Sequence, residues 1–184
     1  MPFDPISYAL AKNAMKYSKS IKPDWEVIAE VEPETDVDYV EFTGLDINSD
    51  KAYVIFVTAK NPQTSDTRIK IYVNGDLTDT DYYSQYIHAT GTNVSANRLN
   101  LPYVTFLGAG KEAFAVVIVS RSADGYLHAY VARCHRTGSE AELTLVHVAS
   151  AVTFTNITSI RLAVDITGGI GAGSKFILAR VKRP

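Results

Sequence analysis

The chain has 184 residues, which is enough for one domain with a buried core of its own. Hydrophobic residues make up 46% and charged residues 21%, a balance that excludes an intrinsically disordered chain. The net charge of −2 excludes a general electrostatic affinity for nucleic acid, and the single cysteine, Cys134, excludes an internal disulfide. The longest apolar run, at residues 113–119, is far shorter than the roughly 20 residues of a membrane-spanning helix, so we expect no membrane insertion.

The first 22 residues carry the pattern of an amphipathic helix. Asp4 and Pro5 are a helix start signal, because Asp caps free amide groups and Pro suits the first helical position. Apolar residues then recur at spacings of three and four, which places them in one stripe: Ile6, Leu10, Ala14, Tyr17 and Ile21. We therefore predict a helical arm over 1–22 and a β domain over 23–184. The stripe is expected to pack on its own domain, on a second copy or on another protein.

From Trp25 onward, apolar residues alternate with polar ones at a period of two, as in strands with one buried face. The predicted strands are 25–31, 37–42, 52–58, 69–73, 82–88, 103–107, 114–120, 127–131, 143–148, 160–166 and 176–181. Turn-forming clusters separate these strands and no helical pattern lies between them, which predicts an antiparallel sandwich or barrel. The apolar run 113–119 predicts a strand buried on both faces, with Val117 and Val119 at a subunit contact.

Motifs of catalysis are absent from the sequence. There is no nucleophile elbow and no phosphate-binding loop, and the glycine-rich stretch 169–173 is followed by a strand pattern rather than by a helix. The histidines His88, His128, His135 and His147 are scattered, with none at metal-ligand spacing. Cys134 and His135 are adjacent in a strand pattern and so point to opposite faces. We predict a protein without catalytic residues, cofactor or metal.

Two features mark the loop that follows the strand 69–73. Asn-Gly is a typical hairpin turn, but polar residues without alternation follow it, so Asn74, Gly75 and Asp76 are predicted to open a longer loop. Gly75 would supply a backbone angle φ that is positive. Asp76, Asp79 and Asp81 form the densest acidic cluster, yet their spacing is not that of an EF-hand. A solvated turn is the favoured interpretation, and cation binding by this loop stays open.

The order of several segments is more specific than the alternation. A predicted strand begins at residue 51 and is preceded by residues 42–45. The turn Asn74-Gly75-Asp76 directly follows residues 68–73. Near the end of the chain, residues 157–162 are followed by the glycine-rich residues 171–174 and by a last predicted strand. In this order and over nearly the whole chain, the sequence resembles the jelly-roll domains of structural proteins from tailed bacteriophages. Such domains occur in capsid decoration proteins, head fibres and tail-fibre tips. The opening residues 4–12 look like a short attachment helix of phage type.

The resemblance implies an all-β fold, an antiparallel jelly-roll sandwich preceded by a short N-terminal amphipathic helix. It also implies a non-enzymatic virion structural protein, a capsid decoration or head-protrusion protein that assembles as a homotrimer and stabilises or decorates the particle. The expected partners are further copies of the chain and capsid or tail proteins of the same virion, with no nucleic acid. The expected localisation is the virion, after synthesis in the host cytoplasm.

A second function class is a receptor-binding module at a tail-fibre tip, with a host-surface glycan as partner. Tyr82 and Tyr86, which share one face of a strand, would offer flat aromatic surfaces to a sugar together with Tyr103. The simpler interpretation is that these tyrosines fill half-buried positions of the sheets.

Overall fold

The computed structural model describes the backbone of residues 24–137 and 140–182 and the side chains of 25–134 and 142–181. Within them, every paired strand is antiparallel, so the prediction of an all-β antiparallel protein is confirmed. The predicted helical arm and its stripe of Ile6, Leu10, Ala14, Tyr17 and Ile21 lie outside the described residues.

Two sheets contain the strands. The strands are β1 (Asp24–Val31), β2 (Tyr39–Thr43), β3 (Ala52–Lys60), β4 (Thr67–Val73), β5 (Tyr82–Thr90), β6 (Asn93–Leu99), β7 (Tyr103–Leu107), β8 (Glu112–Arg121), β9 (Tyr126–Thr137), β10 (Glu140–Thr153), β11 (Ser159–Val164) and β12 (Lys175–Lys182). A large sheet has the order β1-β12-β3-β8-β9-β10-β5-β6, and a small sheet has the order β2-β11-β4-β7. The large sheet therefore extends past the small one, and the hairpins β5–β6 and β9–β10 form the extension.

The core lies between the two sheets. Alternate residues of each strand point inward because successive side chains of a strand project to opposite faces. Fully buried examples are Ile55 and Val57 on β3, Ile69 and Ile71 on β4, and Phe176 on β12. A short helix, α1 (Ile47–Asp50), follows β2, and the side chain of Asp46 caps it by accepting hydrogen bonds from two backbone amides.

β8 corrects one prediction made from the sequence. Val117 and Val119 have no exposed surface and pack in the core, whereas Phe114 and Ile118 point outward and are 47% and 43% exposed. The assignment of Val117 and Val119 to a subunit contact is therefore wrong. The apolar run has one buried face and one exposed face, because the strand lies in a sheet that is covered on one side only.

The loop after β4 agrees with the sequence prediction. Asn74 and Gly75 both have positive φ, and the amide of Asp76 donates to the carbonyl of Val73 at 3.0 Å, which closes a tight turn. A short 3₁₀ helix, Asp79–Asp81, then leads into β5, so the loop is longer than a two-residue hairpin. The Asn74 side chain accepts hydrogen bonds from the amides of Thr158 and Ser159, which ties this loop to the start of β11.

Candidate functional sites on the large sheet

The outer face of the large sheet carries a continuous apolar row. Cross-strand partners from β12 to β6 line up as Ile177, Phe56, Val116, Ala132, Leu145, Ile87 and Ala96. Seven strands at about 4.8 Å spacing make this row about 29 Å long. Phe56, Leu145 and Ile87 are 40%, 50% and 52% exposed. The outer face of an antiparallel sheet is usually polar, so an unbroken row of this length is unusual.

Apolar residues flank this row on both sides. On one side Phe114, Leu143 and Val94 are exposed, and on the other side Ile118 and Tyr130 are exposed. Two shallow apolar depressions of about 250 and 240 Å³ lie on either side of the ridge that Tyr130 and Leu145 form. We call this surface, which comprises the row from Ile177 on β12 to Ala96 on β6 and its flanking apolar residues, the outer apolar face. Exposed apolar patches of such extent mark interaction surfaces.

A pair of histidines stands at the border of the outer apolar face. His128 Nδ1 lies 3.0 Å from His147 Nε2, their rings are stacked at 5.2 Å, and Tyr130 stacks on His147 at 4.8 Å. Burial lowers the pKa of His147, and the nearby His128 lowers it further. Along the sequence these histidines are scattered, with no spacing that indicates a contact. Pairing the two strand patterns symmetrically on either side of residues 138 and 139 would have predicted Tyr130 opposite His147, which is the observed register.

A second site lies on the inner face of the large sheet, where the hairpin extension reaches past β7. This pocket has a volume of about 410 Å³. We call it the extension pocket, and its lining residues are Arg68, Tyr86, His88, Ser95, Leu99, Tyr103, Phe106, Arg133 and Glu142. The large sheet has eight strands and the small sheet has four, so part of the inner face of the large sheet is not covered by small-sheet strands. The pocket lies at this part of the inner face.

Arg133 is the buried charge of the extension pocket, with only 2% of its surface exposed. Its guanidinium donates to the carboxylate of Glu142 and, at 3.3 Å, to the hydroxyl of Tyr103. Its Nε has no hydrogen-bond partner among the described residues. His88 Nδ1 lies 3.4 Å from the Glu142 carboxylate and 3.3 Å from the Thr144 hydroxyl. This cluster was not predicted from the sequence, because Arg133, Glu142 and His88 lie on three different strands.

The structure separates the three tyrosines of the proposed sugar platform. Tyr82 is 1% exposed, donates to the carbonyl of Asp76 at 3.1 Å and accepts from the amide of Val73 at 3.3 Å. Burial raises the pKa of Tyr82 well above its usual value. Its assignment to a ligand site is therefore wrong. Tyr86 and Tyr103 do come together, with ring centroids 5.6 Å apart, in the extension pocket.

The acidic loop is occupied by the protein's own donors. Asp79 accepts from Lys70 Nζ at 2.8 Å and from the hydroxyl of Tyr72, and Asp76 accepts from the amide of Thr78 at 3.1 Å. Lys70 also pairs with Asp165 at 2.6 Å. In the part of the chain that the structure describes, no group of three His, Cys, Asp or Glu residues could hold a metal ion. The geometry thus favours a structural loop at Asp76, Asp79 and Asp81.

Comparison with known proteins gives no relative on which to base a function. No protein-family model matches the chain, and no curated protein sequence matches it. Among the described residues, none of the helices has the length and apolar character needed to cross a membrane. In the part of the chain that the structure describes, the outer apolar face and the extension pocket are the two candidate functional sites.

Proposed function

We propose that the protein is a non-enzymatic structural protein of a bacteriophage virion, a jelly roll that assembles as a homotrimer through its outer apolar face. The row of seven apolar side chains across the large sheet carries this proposal. A particle component must bury such a face against further protein, since a soluble monomer would leave it in water. The expected place on the particle is that of a capsid decoration or head protrusion.

The strand order supports a jelly-roll topology. Setting the hairpins β5–β6 and β9–β10 aside leaves eight strands, which can be renumbered one to eight in chain order. The large sheet then has the order one, eight, three, six, and the small sheet has the order two, seven, four, five. This is the order produced when a long antiparallel ribbon folds over itself into two Greek keys. The two hairpins would be additions that widen one sheet of the basic jelly roll.

The choice of a second copy as occupant follows from the chemistry of the outer apolar face. The row from Ile177 to Ala96 carries no charge, so the faces of several copies can turn toward one common symmetry axis without charge repulsion. Closed symmetry would bury every copy of the face, whereas an open chain would leave one uncovered. The threefold number comes from the resemblance to phage jelly rolls.

Light scattering on the purified full chain tests the assembly. We expect a species of about 60 kDa, three times the chain mass of 20.1 kDa. Leu145→Asp places a carboxylate in the middle of the row and is expected to give a folded monomer. Leu77→Asp is the matched control, because Leu77 is also 50% exposed but lies in the loop before β5. A wild-type mass of about 20 kDa, or dissociation by the control, would contradict the proposal.

Deletion of residues 1–22 tests whether the predicted arm of the same chain, rather than a further copy of the chain, covers the outer apolar face. If the predicted arm covers the outer apolar face of its own chain, the wild type is a monomer and the deletion makes it associate. If copies of the face meet, the shortened chain is still a trimer, and its mass falls only by that of the deleted residues. The same deletion is expected to abolish joining to the virion, which can be measured by incorporation into particles.

A further inference from the structure

The extension pocket has the chemistry of a ligand site rather than that of a core. Inner faces of strands normally carry apolar residues, as β3 and β8 do, but β9, β10 and β5 place Arg133, Glu142 and His88 there. A buried charge is costly unless it is paired and hydrogen-bonded. Arg133 and Glu142 form such a pair, yet the Arg133 Nε keeps a buried proton without a partner among the described residues.

The charges of the pocket favour a neutral ligand with hydroxyl groups. Arg133 supplies donors and Glu142 supplies an acceptor, and the charges of these two groups cancel. Arg68 also lines the pocket, but its guanidinium has a carboxylate partner of its own in Asp165, at 4.0 Å. A sugar hydroxyl both donates and accepts, so neighbouring hydroxyls can meet the guanidinium and the carboxylate at once. An anion would be repelled by the Glu142 carboxylate, and an apolar molecule would give the buried Arg133 Nε no hydrogen-bond acceptor.

Aromatic rings supply the second element of sugar recognition. Tyr86 is half-buried on β5, and Tyr103 holds it from β7 with ring centroids 5.6 Å apart. Phe106 lies at the rim and is 36% exposed. Flat ring surfaces bind the C–H face of a sugar, while polar side chains fix its orientation. The volume of about 410 Å³ lies within the range of about 300–1,000 Å³ for small-molecule sites.

We infer that the extension pocket binds an uncharged saccharide, with Tyr86 as the stacking surface and Arg133 and Glu142 as partners of its hydroxyl groups. Ser95 on the edge strand β6 lines the pocket and is exposed, so a sugar chain can enter from that side. The inference does not rest on the proposed trimer, because the pocket is on the inner side of the large sheet and the outer apolar face is on the other.

Binding is tested with the full chain on an array of neutral and acidic saccharides, followed by titration calorimetry of the best neutral sugar. Tyr86→Ala is expected to weaken binding about tenfold or more, as the loss of one aromatic stacking surface does. Tyr83→Ala is the matched control, since Tyr83 is on the same strand and points to the opposite face. Its affinity is expected to stay within about twofold of the wild type.

Ser95→Trp gives a second test that removes no core contact. A bulky ring at this exposed edge position fills the pocket and is expected to abolish sugar binding while the melting temperature stays unchanged. Affinity for a neutral sugar is also expected to be independent of sodium chloride concentration. The inference is overturned if no neutral saccharide binds, if only acidic saccharides bind with a salt-dependent affinity, or if Tyr83→Ala weakens binding as much as Tyr86→Ala.

Discussion

Val117 and Ile118 are neighbours on β8, but their side chains lie on opposite faces of the large sheet. Aspartate at position 117 would sit in the core, where the wild-type valine has no exposed surface. Protonating a carboxyl of pKa about 3.9 at pH 7 costs about 4 kcal/mol, at 1.36 kcal/mol per pKa unit. Burial of the polar group adds about 1–3 kcal/mol, and the lost valine contacts add about 1.6 kcal/mol. The sum of about 7–9 kcal/mol is comparable with the whole stability of a domain.

Aspartate at position 118 keeps its carboxylate in water, because the wild-type Ile118 is 43% exposed. Circular dichroism and light scattering are therefore expected to find Val117→Asp unfolded at pH 7 and Ile118→Asp folded but dissociated. Val117→Asn is the control without a charge and is expected to lose about 4 kcal/mol less than Val117→Asp. If Val117→Asp gives a folded monomer with the thermal stability of Ile118→Asp, the assignment of the two faces of β8 is refuted.

Two further predictions concern the turn after β4 and the histidine pair. Gly75→Val is expected to lower the free energy of unfolding by about 1–3 kcal/mol, measured by urea denaturation, because valine resists positive φ. The space around the new Cβ is open, so Gly75→Asn is expected to cost much less, and equal losses would contradict the backbone argument. The lowered pKa of His147 means that the unfolded chain binds a proton more readily than the folded one. Stability is therefore expected to fall as pH drops through about 6.5, the unfolded value, and His147→Gln is expected to reduce this slope. A variant with the wild-type slope between about pH 7.5 and 5.5 would show that His147 is not the group responsible.

Local pattern was sufficient for the class of fold and for one turn. Period-two alternation indicates strands wherever one face is buried, and it located the strands around Ile69, Leu127 and Ile160. β6 was missed, because all but one of its residues are exposed and its alternation is short, with only Val94 and the small Ala96 as apolar residues before Leu99. The positive φ of Gly75 was predictable, since it depends on neighbours in the sequence rather than on distant strands.

The functional surfaces depended on which strands are neighbours and on which side of each sheet is covered. Apolar residues on both sides of β8 leave the sequence without a signal for the buried face, so Val117 and Val119 were placed at the wrong surface. Tyr82 and Tyr86 share a strand face, but Tyr82 is fully buried against Tyr72 of β4, whereas Tyr86 is only half-buried beside Tyr103 of β7. Arg133, Glu142 and His88 come together through the pairing of β9, β10 and β5. Such contacts join distant parts of the chain, and only the tertiary arrangement decides them because strand pairing is non-local.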